Sequence, residues 1–216
     1  MSHNGNFSSA LILASGEDVP RKRFEVDRDS TLIICADAGA HLARVWELKP
    51  HLIIGDLDSI SADDRTFWEQ QGVPFQTAPV RKDQTDVELA VEYALGLGVV
   101  FVTLVGAWGS RLDHALGNLE LLYRLASQGI GNELITSRQI LTAFRSNFAG
   151  KVREKSWVSL VPLTPVVRGV HTEGLGYPLR GEDLQKGTTR GISNYAVEQK
   201  IAVRIAEGVL LLIREQ

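Results

Sequence analysis

Three short runs, Leu32-Ile-Ile-Cys35, Leu52-Ile-Ile54 and Val99-Val-Phe-Val-Thr-Leu-Val105, are almost wholly apolar, rich in β-branched residues and bounded by Gly, Asp or Pro. A strand with one face in water alternates apolar and polar residues. Runs without alternation belong to strands buried on both faces, as in a parallel sheet covered by helices. Helix-like segments lie between them. Residues 41–48 and 61–71 have mixed polar and apolar faces, and Thr85-Asp-Val-Glu88 is a capping box opening a helix over 87–95. There Val87, Ala90, Val91, Ala94 and Leu95 follow helical spacing, as do Ala115, Leu119, Leu122 and Leu125 or Ala126 in a helix over about 112–127. The pattern predicts an α/β fold whose N-terminal part is a doubly wound, mainly parallel sheet with helices, binding ligands beyond the carboxyl ends of its strands.

Acidic residues recur at those ends. Asp37 follows the first run and Asp56 and Asp58 the second, while Asp83 and Asp86 follow a weaker run at 73–77. Asp113 follows the third run through Gly106-Ala-Trp-Gly109. Carboxylates converging on one rim repel one another and raise each other's pKa unless a cation neutralises them. The arrangement predicts a metal-assisted site for a phosphorylated ligand.

Charge and composition exclude other classes. A net charge of −3 over 216 residues argues against general nucleic-acid binding, which needs a basic surface. Cys35 is the only cysteine, so no disulfide forms within the chain and a reducing compartment is expected. Residues 1–9 are polar with no basic start, and 10–14 are too short for a signal h-region. No apolar run approaches the roughly 20 residues of a membrane helix. The expectation is a cytoplasmic protein with no nucleic-acid or membrane partner.

Texture changes near 146–151. Beyond it, runs at 157–161, 166–170, 196–205 and 209–213 look like strands separated by Pro and Gly turns, with Ala206-Glu-Gly208 as a hairpin signal between the last two. The predicted domains are an α/β domain over 1–148 and a smaller antiparallel, sandwich-like β domain over 149–216.

Each motif has a bland reading beside the chemical one. In an extended segment Asp56 and Asp58 point to the same side and could hold one magnesium ion; Asp58-Ser59 could equally form a turn into a helix cap at Ser61. Asp83 and Asp86 complement a helix dipole, but Arg81-Lys82 places positive charge at the same end, which a phosphate would explain. Arg111 can donate a fork of hydrogen bonds to phosphate oxygens, or pair with Asp113 at the surface. Ser193-Asn194 forms a polar turn as readily as a binding site. No phosphate-binding glycine loop, zinc pattern or serine-nucleophile elbow occurs in the sequence. What remains is carboxylate-held magnesium with Lys and Arg on the phosphates.

Taken in order, Ala36-Asp-Ala-Gly-Ala40, Gly55-Asp-Leu-Asp-Ser59, Lys82-Asp-Gln-Thr-Asp-Val-Glu88, Gly109-Ser-Arg-Leu-Asp-His114 with Gly117-Asn118, and Gly191-Ile-Ser-Asn194 make the chain resemble the thiamine pyrophosphokinases over nearly its whole length. Ala38 departs from the glycine usual in that family. The resemblance implies an ATP-binding catalytic N-terminal domain, a thiamine-binding C-terminal β domain, and a homodimer with active sites at the subunit interface. The implied reaction is attack of the thiamine hydroxyl on the β-phosphorus of ATP, giving thiamine diphosphate and AMP. Asp56, Asp58 and Asp86 would hold Mg2+, with Asp83 as a further catalytic ligand or orienter. Lys82 and Arg111 would bind ATP and stabilise charge on its phosphates, Asp37 would position ATP, and Asp113, Ser193 and Asn194 would bind thiamine. Three alternatives stand beside this: a pyrophosphokinase acting on a hydroxymethyl pterin, a nucleotide-sugar transferase using Asp56-Leu-Asp58, and a non-catalytic thiamine or nucleotide sensor.

Overall fold

A computed structural model describes residues 7–77 and 83–216. The chain divides into two compact units: one runs up to Leu119 and takes in Ile135–Ser137, the other comprises Glu120–Leu134 and Arg138–Gln216. The N-terminal part begins with β1 (Ser9–Leu13), β2 (Thr31–Ala36), α1 (Gly39–Val45), β3 (Leu52–Gly55) and α2 (Ala62–Gln70). It continues through β4 (Phe75–Thr77), α3 (Asp86–Gly96), β5 (Phe101–Val105) and α4 (Leu112–Ser127), within which the division falls. The strands of the first unit lie in the order β5-β1-β2-β3-β4, each neighbouring pair parallel. Every residue of β2 and β3 is buried, in keeping with their unbroken apolar sequence.

One interior strand, β1, has no counterpart in the sequence expectation. Its residues Ala10 to Leu13 are at most 1 % exposed, yet only one of the four is β-branched, so local β propensity was weak and tertiary position decides. The predicted helix over 41–48 is instead α1, displaced toward the N-terminus. It is closed by a Schellman motif in which Glu47, at φ 53°, donates to the Arg44 carbonyl and Leu48 donates to that of Ala43. The caps of α2 and α3 follow the sequence: Ser61 Oγ accepts from the Asp64 N–H at 3.0 Å and Thr85 Oγ1 from that of Glu88 at 3.2 Å.

The C-terminal strands are β6 (Gly131–Ile135), β7 (Gln139–Phe144), β8 (Asn147–Lys151), β9 (Trp157–Pro162), β10 (Val166–Glu173), β11 (Arg180–Gln185), β12 (Asn194–Tyr195), β13 (Lys200–Arg204) and β14 (Leu210–Glu215). In the second unit, one row runs β12-β9-β14-β7 and a second sheet runs β11-β10-β13-β8, all antiparallel. Val158, Leu160, Leu210 and Leu212 from the first row share one buried cluster with Val167, Val170, Leu184, Ile201 and Val203 from the other. The hairpin expected at Ala206-Glu-Gly208 does not form, because β13 pairs with β10 and β8 whereas β14 pairs with β7 and β9. The turn is a crossover between sheets, held where Arg168 donates to the Glu207 carbonyl and accepts from the Ala206 N–H, beside a register shift in β10. The run at 196–205 is likewise shorter as a strand, since Ala196 forms only an isolated bridge with Leu175.

No helix among the described residues is long and apolar enough to cross a membrane. Truncating the interior strand β1 by Ile12→Ala, at 0 % exposure, should lower unfolding stability by about 2–5 kcal/mol, whereas Val45→Ala, 61 % exposed at the end of α1, should stay within about 0.5 kcal/mol. Urea unfolding of the two variants checks this.

Candidate active site

The chain leaves β1 for β2, β3 and β4 on one side and returns to β5 on the other, so the sheet reverses its winding between β1 and β5. Loops diverge at such a point and leave a crevice beyond the strand ends. The crevice here is a cavity of about 430 Å³, bordered by segments that follow β1, β2, β3 and β5 and by the starts of α3 and α4. Asp37, Asp56, Asp58, Asp86 and Arg111 all line it.

Asp37, Asp56 and Asp58 each offer a carboxylate oxygen within 4.8 Å of the others. Asp37 stands at the end of β2 in a left-handed conformation, φ 47°, its N–H bonded to the Ile54 carbonyl of β3. Of the two readings of Asp56-Leu-Asp58, an extended segment or a turn, the structure shows a turn. Leu57 sits at φ 62° and the Asp58 N–H donates to Asp56 Oδ1 at 3.3 Å, so a turn brings the two acids together. Asp86 approaches from the first turn of α3: a Cβ on Gly55 would lie 3.0 Å from its carboxyl carbon and 3.1 Å from the Asp37 Cβ. Glycine at 55 leaves the room that both acids occupy.

The electrostatics set like charges against one another. Burial pushes the Asp37 carboxyl above its ordinary pKa, a hydrogen bond from Ser59 opposes this, and the charges of Asp86, Asp56 and Asp58 raise it further. Asp37 Oδ1 is buried and has no hydrogen-bond partner among the described residues. An all-oxygen donor set with an orphaned carboxylate oxygen fits a hard divalent cation such as Mg2+, which binds through a few carboxylates and completes its shell with water and phosphate oxygens.

On the opposite side, the segment after β1 is sewn to the loop after β5. Gly16 and Asp18 donate to the Gly106 and Trp108 carbonyls, and Ser110 donates its N–H and hydroxyl to the two carboxylate oxygens of Glu17, each at 2.7 Å. Those bonds, the backbone one first, hold the Glu17 pKa below its ordinary value. Gly106 has φ 67°, and any Cβ there would strike the Ala14 backbone. Asn118 fastens α4 to the same loop by donating to the Ala107 carbonyl at 2.7 Å. The next residue after Ser110 is Arg111, whose guanidinium grips Asp113 through bonds of 3.0 and 2.7 Å. Hydrogen bonding to Arg111 holds the Asp113 carboxyl well below the usual range, and both side chains are exposed.

Asp83 lies exposed in the turn before α3 and is not among the described residues lining the cavity. Lys82 lies outside the described residues. Ala38, at φ −62°, has an ordinary helical conformation that accommodates its methyl group. Ser193 and Asn194 belong to the second unit, where Asn194 borders a cavity of about 250 Å³ together with Leu160, Tyr177, Thr189 and Ile192. The Asn194 amide is buried: Oδ1 accepts from the N–H groups of Tyr177 and Tyr195, and Nδ2 donates to the Tyr177 carbonyl. Ser193 is exposed, in a left-handed conformation with φ 60°.

Two family models match successive stretches of the chain. Residues 25–133 match the family model described as thiamin pyrophosphokinase, catalytic domain, and residues 147–210 match thiamin pyrophosphokinase, vitamin B1 binding domain. The chain belongs to the thiamine pyrophosphokinase family. The thiamine pyrophosphokinase of Bacillus subtilis is 29 % identical over 188 residues, covering 86 % of this chain and 88 % of the relative. Thiamine pyrophosphokinase 1 of Arabidopsis thaliana is 25 % identical, covering 94 % and 85 %. The crystal structure of the Bacillus subtilis enzyme superposes with a TM-score of 0.88 at 28 % identity, covering 96 % of this chain and 99 % of that one. That of Geobacillus thermodenitrificans gives 0.84 at 27 %, covering 96 % and 97 %.

Sequence reasoning missed Glu17 as part of this site, and quoted Ser59 and Asn118 within motifs without giving either a role there. Glu17 carried the same signal as the acids it did find, an apolar run followed closely by a carboxylate. Asp37 also supplies a test. A carboxyl whose pKa is raised on folding favours the folded state only while protonated, so as pH rises through that pKa its ionisation destabilises the metal-free protein. With metal removed by a chelator, Asp37→Asn should therefore melt higher than the parent protein at neutral pH. The advantage should shrink as pH falls below the raised pKa, and calorimetry across pH reads both.

Proposed function

We infer that the protein is an ATP-dependent diphosphotransferase that forms thiamine diphosphate and AMP from thiamine and ATP. The observation that carries this reading is the match to both family parts by a chain whose first unit gathers Asp37, Asp56 and Asp58 at a sheet's winding reversal. The thiamine hydroxyl oxygen bonds to the β-phosphorus, the bond from that phosphorus to the α,β-bridging oxygen breaks, AMP leaves with the electron pair, and the hydroxyl proton is released. Such a transfer depends on alignment and charge neutralisation.

Asp56, Asp58 and Asp86 would hold magnesium, and the orphaned oxygen of Asp37 supports adding that residue to the set. Bound there, magnesium would supply positive charge to offset that of the phosphates. Arg111 spends two of its five donors on Asp113, which leaves the others for phosphate oxygens while the pair fixes the guanidinium plane. Lys82 would bind the phosphates of ATP, and Asp83, in the turn before α3, would serve as a further magnesium ligand or an orienter. Asp113 would act on thiamine as well as on Arg111.

The acceptor is assigned to the second unit, through Ser193 and Asn194, with residues 1–148 and 149–216 as the ATP and thiamine domains. The Asn194 amide carries a second hydrogen besides the one donated to the Tyr177 carbonyl, and Ser193 presents an exposed hydroxyl, both suited to an aminopyrimidine. A homodimer with active sites at the subunit interface is part of the proposal. The exposed Trp157, Tyr177, Ile192 and Val197 support it as apolar surface in need of cover. A cytoplasmic location is supported by the single, buried, unpaired Cys35.

Incubation with Mg2+, ATP and thiamine should yield AMP and thiamine diphosphate in equal amounts by chromatography, with no transfer to a hydroxymethyl pterin offered instead. Asp56→Ala should cut the rate about 10²–10³-fold without loss of fold. Absence of AMP and thiamine diphosphate from the folded parent protein would refute the activity. In the second unit, Ser193→Ala should weaken thiamine binding alone. Asn194→Ala should weaken binding and also lower stability by about 1–3 kcal/mol, because the Tyr177 backbone loses its partners. Calorimetric titration with thiamine and thermal melting separate the two effects.

A further inference from the structure

Away from the phosphate cavity, one buried carboxylate joins the two helices that follow the acidic loops. Asp64, in the first turn of α2, is 4 % exposed. Its Oδ1 accepts from Arg44 Nη1 at 3.0 Å, and its Oδ2 accepts from Ser61 Oγ at 2.8 Å and lies 3.0 Å from His41 Nδ1. Arg44 and His41 stand on α1, which begins directly after Asp37-Ala38; Ser61 caps α2, which begins directly after the segment carrying Asp56 and Asp58. Ser59 lies between these places. Its single hydroxyl hydrogen has two carboxylate acceptors in reach, Asp58 Oδ1 at 2.9 Å and Asp37.

Like charges on two loops push those loops apart. Helices are stiff, so a tie between their first turns opposes that push more effectively than contacts within the loops. We propose that Asp64 is a positioning residue for the carboxylate group, setting the spacing of Asp37 from Asp56 and Asp58 by fastening α1 to α2. The inference rests on the magnesium reading above. It adds a residue that touches neither cation nor substrate and acts through the two helices.

Other contacts keep the helices together when this tie is altered. The Trp68 indole N–H donates to the Ala40 carbonyl at 3.0 Å in the buried interface, and the Arg44 guanidinium lies 4.4 Å from the centre of the Phe67 ring. Asp64→Asn therefore keeps the packing and the side-chain size while removing the charge. A second variant, His41→Gln with Arg44→Gln, leaves Asp64 in place and changes only side chains that are 69 % and 42 % exposed.

The test uses the full chain, with Mn2+ binding followed by the loss of free-ion electron paramagnetic resonance signal in the absence of ATP and thiamine. The Mg2+ concentration for half-maximal AMP formation is measured alongside. The expected result in both variants is about 10-fold weaker Mn2+ binding and a matching rise in the Mg2+ requirement, with the maximal rate recovered at high Mg2+ and KM for thiamine unchanged. Lower melting temperature with unaltered Mn2+ affinity would overturn the proposal and leave Asp64 as a purely structural link. A parent protein that neither binds Mn2+ nor requires Mg2+ would instead refute the magnesium reading, and the inference with it. Should Asp64→Asn fail to fold, the double variant still decides between the first two outcomes.

Discussion

Repulsion among carboxylates is the constraint around which the first unit is arranged. Two unit charges about 4 Å apart interact by about 4 kcal/mol at an effective dielectric constant near 20, and three acids here approach within 4.8 Å. Nothing in folding rewards that contact. The chain accepts left-handed backbone at Asp37 and Leu57 to make it, and a glycine at 55 to leave space for it. The surrounding sheet makes such an arrangement tolerable, since β2 and β3 are buried along their length, β1 is buried from Ala10 to Leu13, and each strand ends within one residue of its neighbour. A rigid platform lets a locally unfavourable cluster persist.

The cationic side of the crevice is organised differently. Glu17 and Asn118 are tied to the loop after β5, one from the segment after β1 and one from α4, so the backbone preceding Arg111 is held from two directions. Arg111 itself is exposed and paired with Asp113, an arrangement of little worth to stability in water. Its value lies in orientation: a guanidinium already held in one plane loses less freedom when phosphate oxygens arrive. Acids are forced together on one side, and an arginine is fixed by its neighbour on the other.

How much of this was legible in the sequence depended on whether the signal was local. The caps at Ser61 and Thr85, the extent of α4, and the unbroken apolar runs of β2 and β3 are properties of adjacent residues, and the structure follows them. β1 is the opposite case. Its Ala-Leu-Ile-Leu stretch is modest strand sequence, and only pairing with β2 and β5 over long separations makes it interior. The same dependence hid Glu17, whose role requires Ser110, 93 residues away. The crossover at Ala206-Glu-Gly208 was misread because a tight turn specifies a reversal of direction but not which sheet the next strand joins. Asp56 and Asp58 come together by a turn and not by alternation along an extended segment, two readings between which the local sequence does not choose.

The two units also differ in how function shows itself. In the first, the unfavourable groups are visible: an orphaned carboxylate oxygen and a raised pKa have no structural purpose, so chemistry can be argued from them directly. In the second, Asn194 is satisfied by Tyr177 and Tyr195, and its burial is accounted for without a ligand. A residue that closes a loop and also faces a cavity leaves no energetic residue to betray the second task. The physics of the chain therefore points to phosphate and cation by itself, whereas the identity of the acceptor enters through kinship.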